Sequence, residues 1–191
     1  WSPDSNSHYY SAEIFGEGTG FRGLGRLTLA TGERLMLIPE PDTPNDYLIR
    51  FSPNDRLVAY WWQGPTDPEL NGFWILDLVT LQSERVLLDP LFRMITNLVW
   101  NPGSDQIALD VFVMSENAHS ILLYDPHTRA MRYVVQVVPF EYFAIGSWRD
   151  EDRILVSQLF MNVPHCHGMV QAYYYLDVSS GNFLPAFTPT P

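Results

Sequence analysis

The strongest constraint on the fold is an internal repeat of about 50 residues. An aromatic residue, a small polar residue and proline open three copies, at Trp1, Phe51 and Trp100, and Trp148 opens a degraded fourth copy. Successive openings lie 50, 49 and 48 positions apart. Self-similarity at a fixed period of about 20–50 residues is typical of solenoids and propellers. The sequence therefore predicts four related structural units in a row.

Each copy is divided into short apolar runs by polar turns. The first run follows the opening turn, as in 57–61 and 107–111, and the second ends near an aspartate. A third run comes after the next turn, and a fourth leads into the following copy. Short runs rich in β-branched and aromatic residues predict strands. No stretch shows the 3.6-residue spacing of a helix. Four strands per repeat predict an all-β fold, a β-propeller with four blades of four-stranded antiparallel sheet.

The repeat resembles a known family. An aromatic-Ser-Pro-Asp turn, a β-run, and an apolar run ending in aspartate and Thr-Gly are similar to the TolB-type propeller repeat, also found in propellers of prolyl-oligopeptidase-like enzymes. The resemblance covers nearly the whole chain. It implies that the opening turn joins the innermost strand of a blade to its second strand, and that Asp77, Asp125 and Asp177 end the third strands. The fourth copy departs from this pattern because Arg149-Asp150 replaces Ser-Pro.

The repeats assign residues 1–184 to the blades, and the Pro- and Thr-rich segment 185–191 to a linker or tail. The resembled family usually closes its ring with more than four blades, and the first copy starts at its opening turn without an innermost strand. We therefore expect the blades to be part of a larger ring. Two alternatives stay open: a closed ring of four blades, and a homodimer whose two chains form an eight-bladed ring.

Composition argues against several partners and sites. The chain has 11 Lys and Arg against 22 Asp and Glu, a net charge of -11 that repels a phosphate backbone, so we expect no nucleic-acid partner. The single Cys166 excludes an intrachain disulfide framework and a multi-cysteine zinc site. No run of about 18 apolar residues is present, so we expect no transmembrane segment.

Two segments resemble cofactor or metal motifs. Residues 18–23 match the Gly-x-Gly-x-x-Gly string, but that motif binds a dinucleotide only where a helix follows, and a β-run follows here. His165 and His167 lie on one side of an extended segment and are candidate metal ligands. Two ligands do not make a site, so an ordinary loop is the favoured interpretation. Candidates for a third ligand are His8, His119, His127 and Met161.

No motif in the sequence supports catalysis. The chain has no Gly-x-Ser-x-Gly elbow, and no identifiable partner orients its lone cysteine. The Asp-box repeat of sialidases is absent, and residues 150–152 lack the spacing of a calcium loop, which favours a solvated turn. We therefore expect no catalytic residues and no cofactor.

The loops between second and third strands are the predicted ligand-binding region. In a propeller these loops gather on one face, where aromatic and polar side chains supply contact area for a ligand. For Trp61 and Trp62 the alternative is packing between blades, because Trp61 extends a strand pattern. The candidate ligand-binding residues are Phe21, Arg22, Trp61, Trp62, Gln63, His119 and Met161.

Two functions remain open at this point. The first is a non-enzymatic propeller that binds or scaffolds a protein, peptide or glycan at the cell envelope, in the periplasm, or outside the cell. The second is an accessory propeller that gates substrate for a hydrolase domain elsewhere in a longer protein. Propellers host many unrelated activities, so the fold does not decide between them. A hydrolase sequence following residue 191 would favour the second.

Overall fold

The computed structural model describes residues 2, 5–11, 24–38, 48–62, 71–86, 92–113, 117–139, 142–160 and 170–186. This part of the chain is all-β. No helix long and apolar enough to cross a membrane occurs within it. Its strands are β1 (Ser7–Ser11), β2 (Leu24–Thr28), β3 (Arg34–Ile38), β4 (Leu48–Phe51), β5 (Leu57–Trp62), β6 (Gly72–Asp77), β7 (Gln82–Val86), β8 (Phe92–Trp100), β9 (Ile107–Val113), β10 (Ala118–Tyr124), β11 (Met131–Pro139), β12 (Tyr142–Trp148), β13 (Arg153–Phe160), β14 (Val170–Asp177) and β15 (Phe183–Pro185).

The strands form four antiparallel sheets, one for each sequence repeat. Sheet A has the order β1-β2-β3, and sheets B, C and D contain β4 to β7, β8 to β11 and β12 to β15, each strand hydrogen-bonded to its neighbours in sequence. The predicted four-stranded units are confirmed in sheets B, C and D. Sheet A has three strands, as expected from its missing innermost strand. Pro185 of β15 pairs with Tyr174 of β14.

The repeated opening residues form the same turn in three sheets. In sheet B the Ser52 N–H donates to the Leu57 carbonyl, and the Asp55 N–H donates to the Ser52 carbonyl. The Ser52 hydroxyl accepts a further bond from the Leu57 N–H. Ser2 and Asn101 make the corresponding bonds in sheets A and C. In sheets B and C these turns join the innermost strand to the second strand, as the family resemblance implies, and in sheet A the turn precedes β1.

The fourth opening turn is shorter than the others by one residue. The Arg149 N–H donates to the Arg153 carbonyl, four positions on, where the other copies span five. Asp150 pairs with the Arg153 guanidinium and accepts a bond from the Asp152 N–H. These contacts hold the turn without Ser-Pro. Residues 150–152 therefore lie in a turn, in which Glu151 and Asp152 are exposed, as expected for a solvated turn.

Aspartates close the turns after three of the third strands. Asp77 accepts bonds from the Val79 and Thr80 N–H groups through one carboxylate oxygen. Asp125 and Asp177 repeat this arrangement in sheets C and D. Bonds from the Ser179 hydroxyl and from the N–H and hydroxyl of Ser180 lower the pKa of Asp177 to about 2. The predicted third-strand ends are confirmed at Asp77 and Asp177, and Asp125 directly follows the end of β10.

Both kinds of turn lie at the same end of each sheet, which we call the turn end. The Leu78 N–H, in the turn after β6, donates to the Arg56 carbonyl in the turn before β5. Equivalent bonds join Leu29 to Asn6 and Val178 to Asp152. The opposite end, the loop end, receives the second-to-third-strand connections. Those connections are residues 12–23, 63–71, 114–117 and 161–169.

The structure divides into two compact units, Trp1–Leu87 and Leu88–Pro191, each with its own core. In the second unit, one face of sheet C packs on sheet D. This front face carries Ala108, Ile121 and Leu123, and it meets the back face of sheet D, which carries Ile154, Val156 and Leu176. In the first unit, sheet A packs on sheet B in the same way. The face of sheet A that carries Tyr9 and Leu24, its front face, meets the face of sheet B that carries Val58 and Leu76, its back face. That core contains Leu24, Val58, Tyr60, Leu76 and the partly buried Tyr9.

Candidate functional site

A buried aspartate–histidine pair lies towards the loop end of sheet C. The Nδ1 atom of His119 is 2.8 Å from Oδ1 of Asp110, and the side chains are 12% and 2% exposed. His119 was a sequence candidate, and it is the candidate that the structure brings together with a second ionisable side chain. The ring of Phe112 lies 5.2 Å from the imidazole, centroid to centroid.

The strand register places the two side chains together. Asp110 on β9 lies opposite Ile121 on β10, and His119 lies opposite Phe112. Positions two apart on a strand share one face of the sheet, so Asp110 and His119 are diagonal neighbours on the front face of sheet C. Both lie within a largely apolar layer. This burial explains why each needs a polar partner.

Polar contacts continue from the pair towards sheet D. Asn97 on β8 lies opposite Asp110, and its side-chain amide donates to the Ile145 carbonyl on β12 at 2.8 Å. The Trp148 indole N–H donates to the Val99 carbonyl at 3.2 Å. From the first bond to the second, the residue number rises on both strands, from Asn97 to Val99 on β8 and from Ile145 to Trp148 on β12. These innermost strands therefore run in the same direction. The loop ends of sheets C and D therefore lie on the same side.

The pair holds an imidazole in a fixed orientation. A buried carboxylate that accepts a bond from Nδ1–H selects one tautomer and fixes the ring plane. This is the orientation that general bases use, and it equally suits a ring that binds a ligand through hydrogen bonds or stacking. No group of three or more His, Cys, Asp or Glu side chains within the described ranges could hold a metal ion.

The two tryptophans belong to a strand and are buried. Trp61 and Trp62 are the last residues of β5, and each is 6% exposed. Trp62 belongs to the core between sheets A and B. The run 57–61 is confirmed as a strand that includes Trp61. The placement of both tryptophans in a loop is wrong, because β5 continues through Trp62 and all six of its residues are buried. The Trp61 indole N–H is buried without a hydrogen-bond partner among the described residues.

The other candidates fall outside the described residues. Phe21, Arg22, Gln63 and Met161 belong to this group, as do the possible metal ligands His165 and His167 and the glycine-rich segment 18–23. Their roles stay predictions. For 18–23, β2 begins at Leu24, so a strand follows the motif as the sequence indicates.

Asp110 is the residue that sequence reasoning missed. It interrupts the apolar run 107–113, which reads as a strand. A charged residue inside such a run is the available signal, because a buried carboxylate requires a partner. The identity of the partner depends on register, which one sequence does not provide.

Comparisons with known proteins bear on the fold. No protein-family model matches the chain, and no curated protein matches it. Solved structures do match. TolB from Acinetobacter baumannii aligns with a TM-score of 0.60 and 10% identity, over 96% of this chain and 41% of that chain. The β-propeller domain of the Trilobed protease from Pyrococcus furiosus aligns with a TM-score of 0.65 and 16% identity, over 96% of this chain and 58% of that chain.

A third match is dipeptidyl peptidase 4 from Porphyromonas gingivalis, with a TM-score of 0.65 and 14% identity, over 96% of this chain and 31% of that chain. The chain thus spans less than two thirds of the length of each of these proteins. At these identities the similarity concerns the fold alone. The chain has a β-propeller fold, its sheets are blades, and the fold is similar to those of TolB and the Trilobed protease propeller domain.

Proposed function

We propose that this chain is a non-enzymatic binding module that holds a protein, peptide or glycan at the loop ends of its blades. The observation that carries the proposal is the difference between the two ends of sheets A, B and D. At the turn end, short connections are closed by their own hydrogen bonds, as between Leu78 and Arg56. Their side-chain acceptors, such as Asp77, are used within the turn.

The loop end supports binding in two ways. The connections 12–23, 63–71 and 161–169 are longer than the turns at the opposite end, and their composition varies from blade to blade. Variable loops on a rigid β scaffold are where binding residues concentrate. His119, oriented by Asp110, adds a fixed aromatic and polar group near this end. The blades therefore supply the scaffold, and the connections supply specificity.

The surroundings of His119 favour binding over catalysis. An aspartate–histidine pair becomes hydrolytic when a nucleophile reaches the imidazole on the same face. Ser120 follows His119 directly, so strand alternation puts it on the opposite face of sheet C. Phe112 occupies the neighbouring position on the front face. A location at the cell envelope or outside the cell accords with the TolB-type character of the repeat.

The test is a screen of the purified chain on glycan and random-peptide arrays, followed by titration of the best hit. Phe21→Ala and Met161→Ala, in two loop-end connections, should weaken binding by about tenfold or more. Val79→Ala, at an exposed turn-end position, is the matched control and should leave affinity unchanged. Equal effects at both ends, or no hit in either array, would contradict the proposal.

A second candidate is an accessory propeller that gates substrate for a hydrolase domain. It is favoured by the structural similarity to a protease propeller domain and to a peptidase of which this chain spans 31%. The coding sequence downstream of residue 191 discriminates between the two. A hydrolase domain encoded there supports the gating function, and its absence supports an independent binding module.

A further inference from the structure

The layer between sheets C and D opens to solvent towards the loop end. Nearer the turn end, Ala108 on sheet C and Ile154 on sheet D are both 0% exposed. Nearer the loop end, the His119 side chain is 12% exposed and Phe112 is half-buried. We call this opening the seam, and we define it by Phe112 and His119 on sheet C and Gln158 on sheet D.

Hydrogen bonds between the two sheets match their levels. Asn97 on the innermost strand of sheet C lies opposite Asp110. Its side-chain amide donates to the Ile145 carbonyl, and Ile145 lies opposite Val156 in sheet D. Asp110 and Val156 therefore lie at about the same level of the two packed sheets.

Gln158 faces sheet C at the next level towards the loop end. It comes two residues after Val156 on β13, so it lies on the same face of sheet D. On sheet C, the same step along β9 leads from Asp110 to Phe112, which lies opposite His119. Both strands run towards the loop end. Gln158 therefore lies across the seam from Phe112 and His119.

The side chain of Gln158 is buried without a hydrogen bond. The residue is 8% exposed, and its carboxamide bonds to no residue that the structure describes. A carboxamide carries two N–H donors and an oxygen acceptor, and burying these groups unbonded is unfavourable. Asp110, one step deeper in the same layer, is bonded to His119. The carboxamide of Gln158 therefore points to a ligand that supplies a donor and an acceptor at the seam.

The charges next to the seam favour an uncharged ligand group. The Asp110 carboxylate is 2% exposed and lies 2.8 Å from the His119 imidazole, so these two groups satisfy each other. An ionic ligand would lose its hydration in the seam without gaining an unpaired opposite charge from this pair. The net charge of -11 disfavours an anion further. A neutral group with one donor and one acceptor is the chemistry that fits.

An extended peptide presents that chemistry. The N–H and C=O of one residue in an extended chain point to the same side, so a single carboxamide can bond to both. The Phe112 and His119 rings are inclined at 60°, with 5.2 Å between their centres. Two rings at this angle do not form one flat platform for a sugar ring. They instead form two walls that can contact a small apolar side chain.

We propose that the seam binds one extended residue of a peptide. Gln158 bonds to the backbone N–H and C=O of that residue, and Phe112 and His119 contact its side chain. Asp110 is a positioning residue, because it fixes the plane of the His119 ring. This inference rests on the proposed binding function and deepens it. It assigns peptide as the ligand class and places one contact on strands β9, β10 and β13.

The test is an NMR titration of the ¹⁵N-labelled 191-residue chain with N-acetylalanine N-methylamide, up to about 50 mM. This probe is one capped peptide residue. We expect saturable shifts of the Gln158 side-chain amide, whose signal is the one missing from the spectrum of Gln158→Met. N,N-dimethylacetamide, which has no N–H donor, should bind more weakly by about threefold or more. Methyl glucoside should leave the Gln158 signal in place.

Substitution separates a ligand contact from a structural role of Gln158. Gln158→Met keeps the length of the side chain and removes its hydrogen bonds, so the dissociation constant, read from the Phe112 backbone amide, should rise about tenfold. The thermal midpoint should stay the same or rise, because no internal bond is lost. Gln136→Met is the matched control, since Gln136 is an exposed glutamine on sheet C, and it should change neither quantity. Phe112→Leu should weaken binding without abolishing the shifts.

Three results would overturn the proposal. The first is a Gln158 signal that the capped residue does not shift. The second is a Gln158→Met chain with a lower thermal midpoint and unchanged binding, which would make the side chain structural. The third is tighter binding of methyl glucoside than of the capped residue.

The outcome also stands apart from the test of the proposed function. Array binding that depends on Phe21 and Met161, with no shift at Gln158, would overturn the seam contact and leave loop-end binding in place. A saturable shift at Gln158 without any array hit would support the seam contact and contradict the broader proposal.

Discussion

Four corresponding turn residues adopt the left-handed backbone region, two as glycine and two as larger residues. Gly32 and Gly181 have φ values of 70° and 72°, and Leu81 and Arg129 have values of 58° and 61°. Gly32, Leu81 and Gly181 each donate an N–H bond to the residue four positions earlier. The turn is thus maintained by its hydrogen bond and its tight geometry. Glycine lowers the conformational cost but is not required.

Substituting the two glycines should separate backbone strain from steric contact. Gly32→Ala should lower the free energy of unfolding by about 1 kcal/mol, because alanine disfavours positive φ and a Cβ there meets nothing within 4 Å. Gly181→Ala should cost about 1 kcal/mol more, since its Cβ would lie 3.0 Å from the Val134 carbonyl oxygen. Denaturant titration of both variants measures the difference. Equal losses would show that Val134 moves aside freely.

The low pKa of Asp177 predicts a pH-dependent loss of stability. In the folded chain this pKa is about 2, below the ordinary value of 3.8, because Ser179 and Ser180 donate hydrogen bonds to the carboxylate. A depressed folded-state pKa gives stabilisation that is complete above the unfolded-state pKa and is lost as pH falls through the folded-state pKa.

The test compares melting temperatures of wild type and Asp177→Asn from about pH 6 to about pH 2. The wild-type advantage should be constant above about pH 5 and should shrink between about pH 4 and about pH 2. Thr28 occupies the corresponding turn position in sheet A without a carboxylate, so Thr28→Ala should show no such trend. A difference that is independent of pH would contradict the assigned bonds.

Among the structural elements, the opening turns depend most on a single side chain. Ser52 is almost completely buried, its hydroxyl accepts a bond from the Leu57 N–H, and it donates to Asn54. Ser52→Ala should lower the free energy of unfolding by about 1–3 kcal/mol, because a buried N–H loses its side-chain acceptor. Ser147→Ala, at an exposed strand position, is the control and should change stability by less than about 0.5 kcal/mol.

Strands and turns were predictable because their signals are local. The β-rich runs, the Ser-Pro turns and the closing aspartates each act through bonds to residues within about five positions. The shortened fourth turn was harder to predict, since an ion pair between Asp150 and Arg153 replaces the Ser-Pro contacts. The predicted strand 57–61 stopped one residue short of Trp62, because an apolar run does not show where a strand ends.

The charge of the whole molecule leads to a further prediction. With a net charge of -11, the chain should not bind duplex DNA at about 0.15 M salt. Fluorescence anisotropy of a labelled duplex measures this directly. Binding that weakens steeply with salt would contradict the prediction and would indicate a local basic surface.

The sequence by itself determined the all-β class, the number of blades within these 191 residues and the turns that join their strands. Each follows from short-range patterns that recur about every 50 residues. The tertiary structure alone decided that His119 meets Asp110 and that both tryptophans are buried. These facts depend on register and on packing between sheets. Both bring distant residues together, and a single sequence does not specify those pairings.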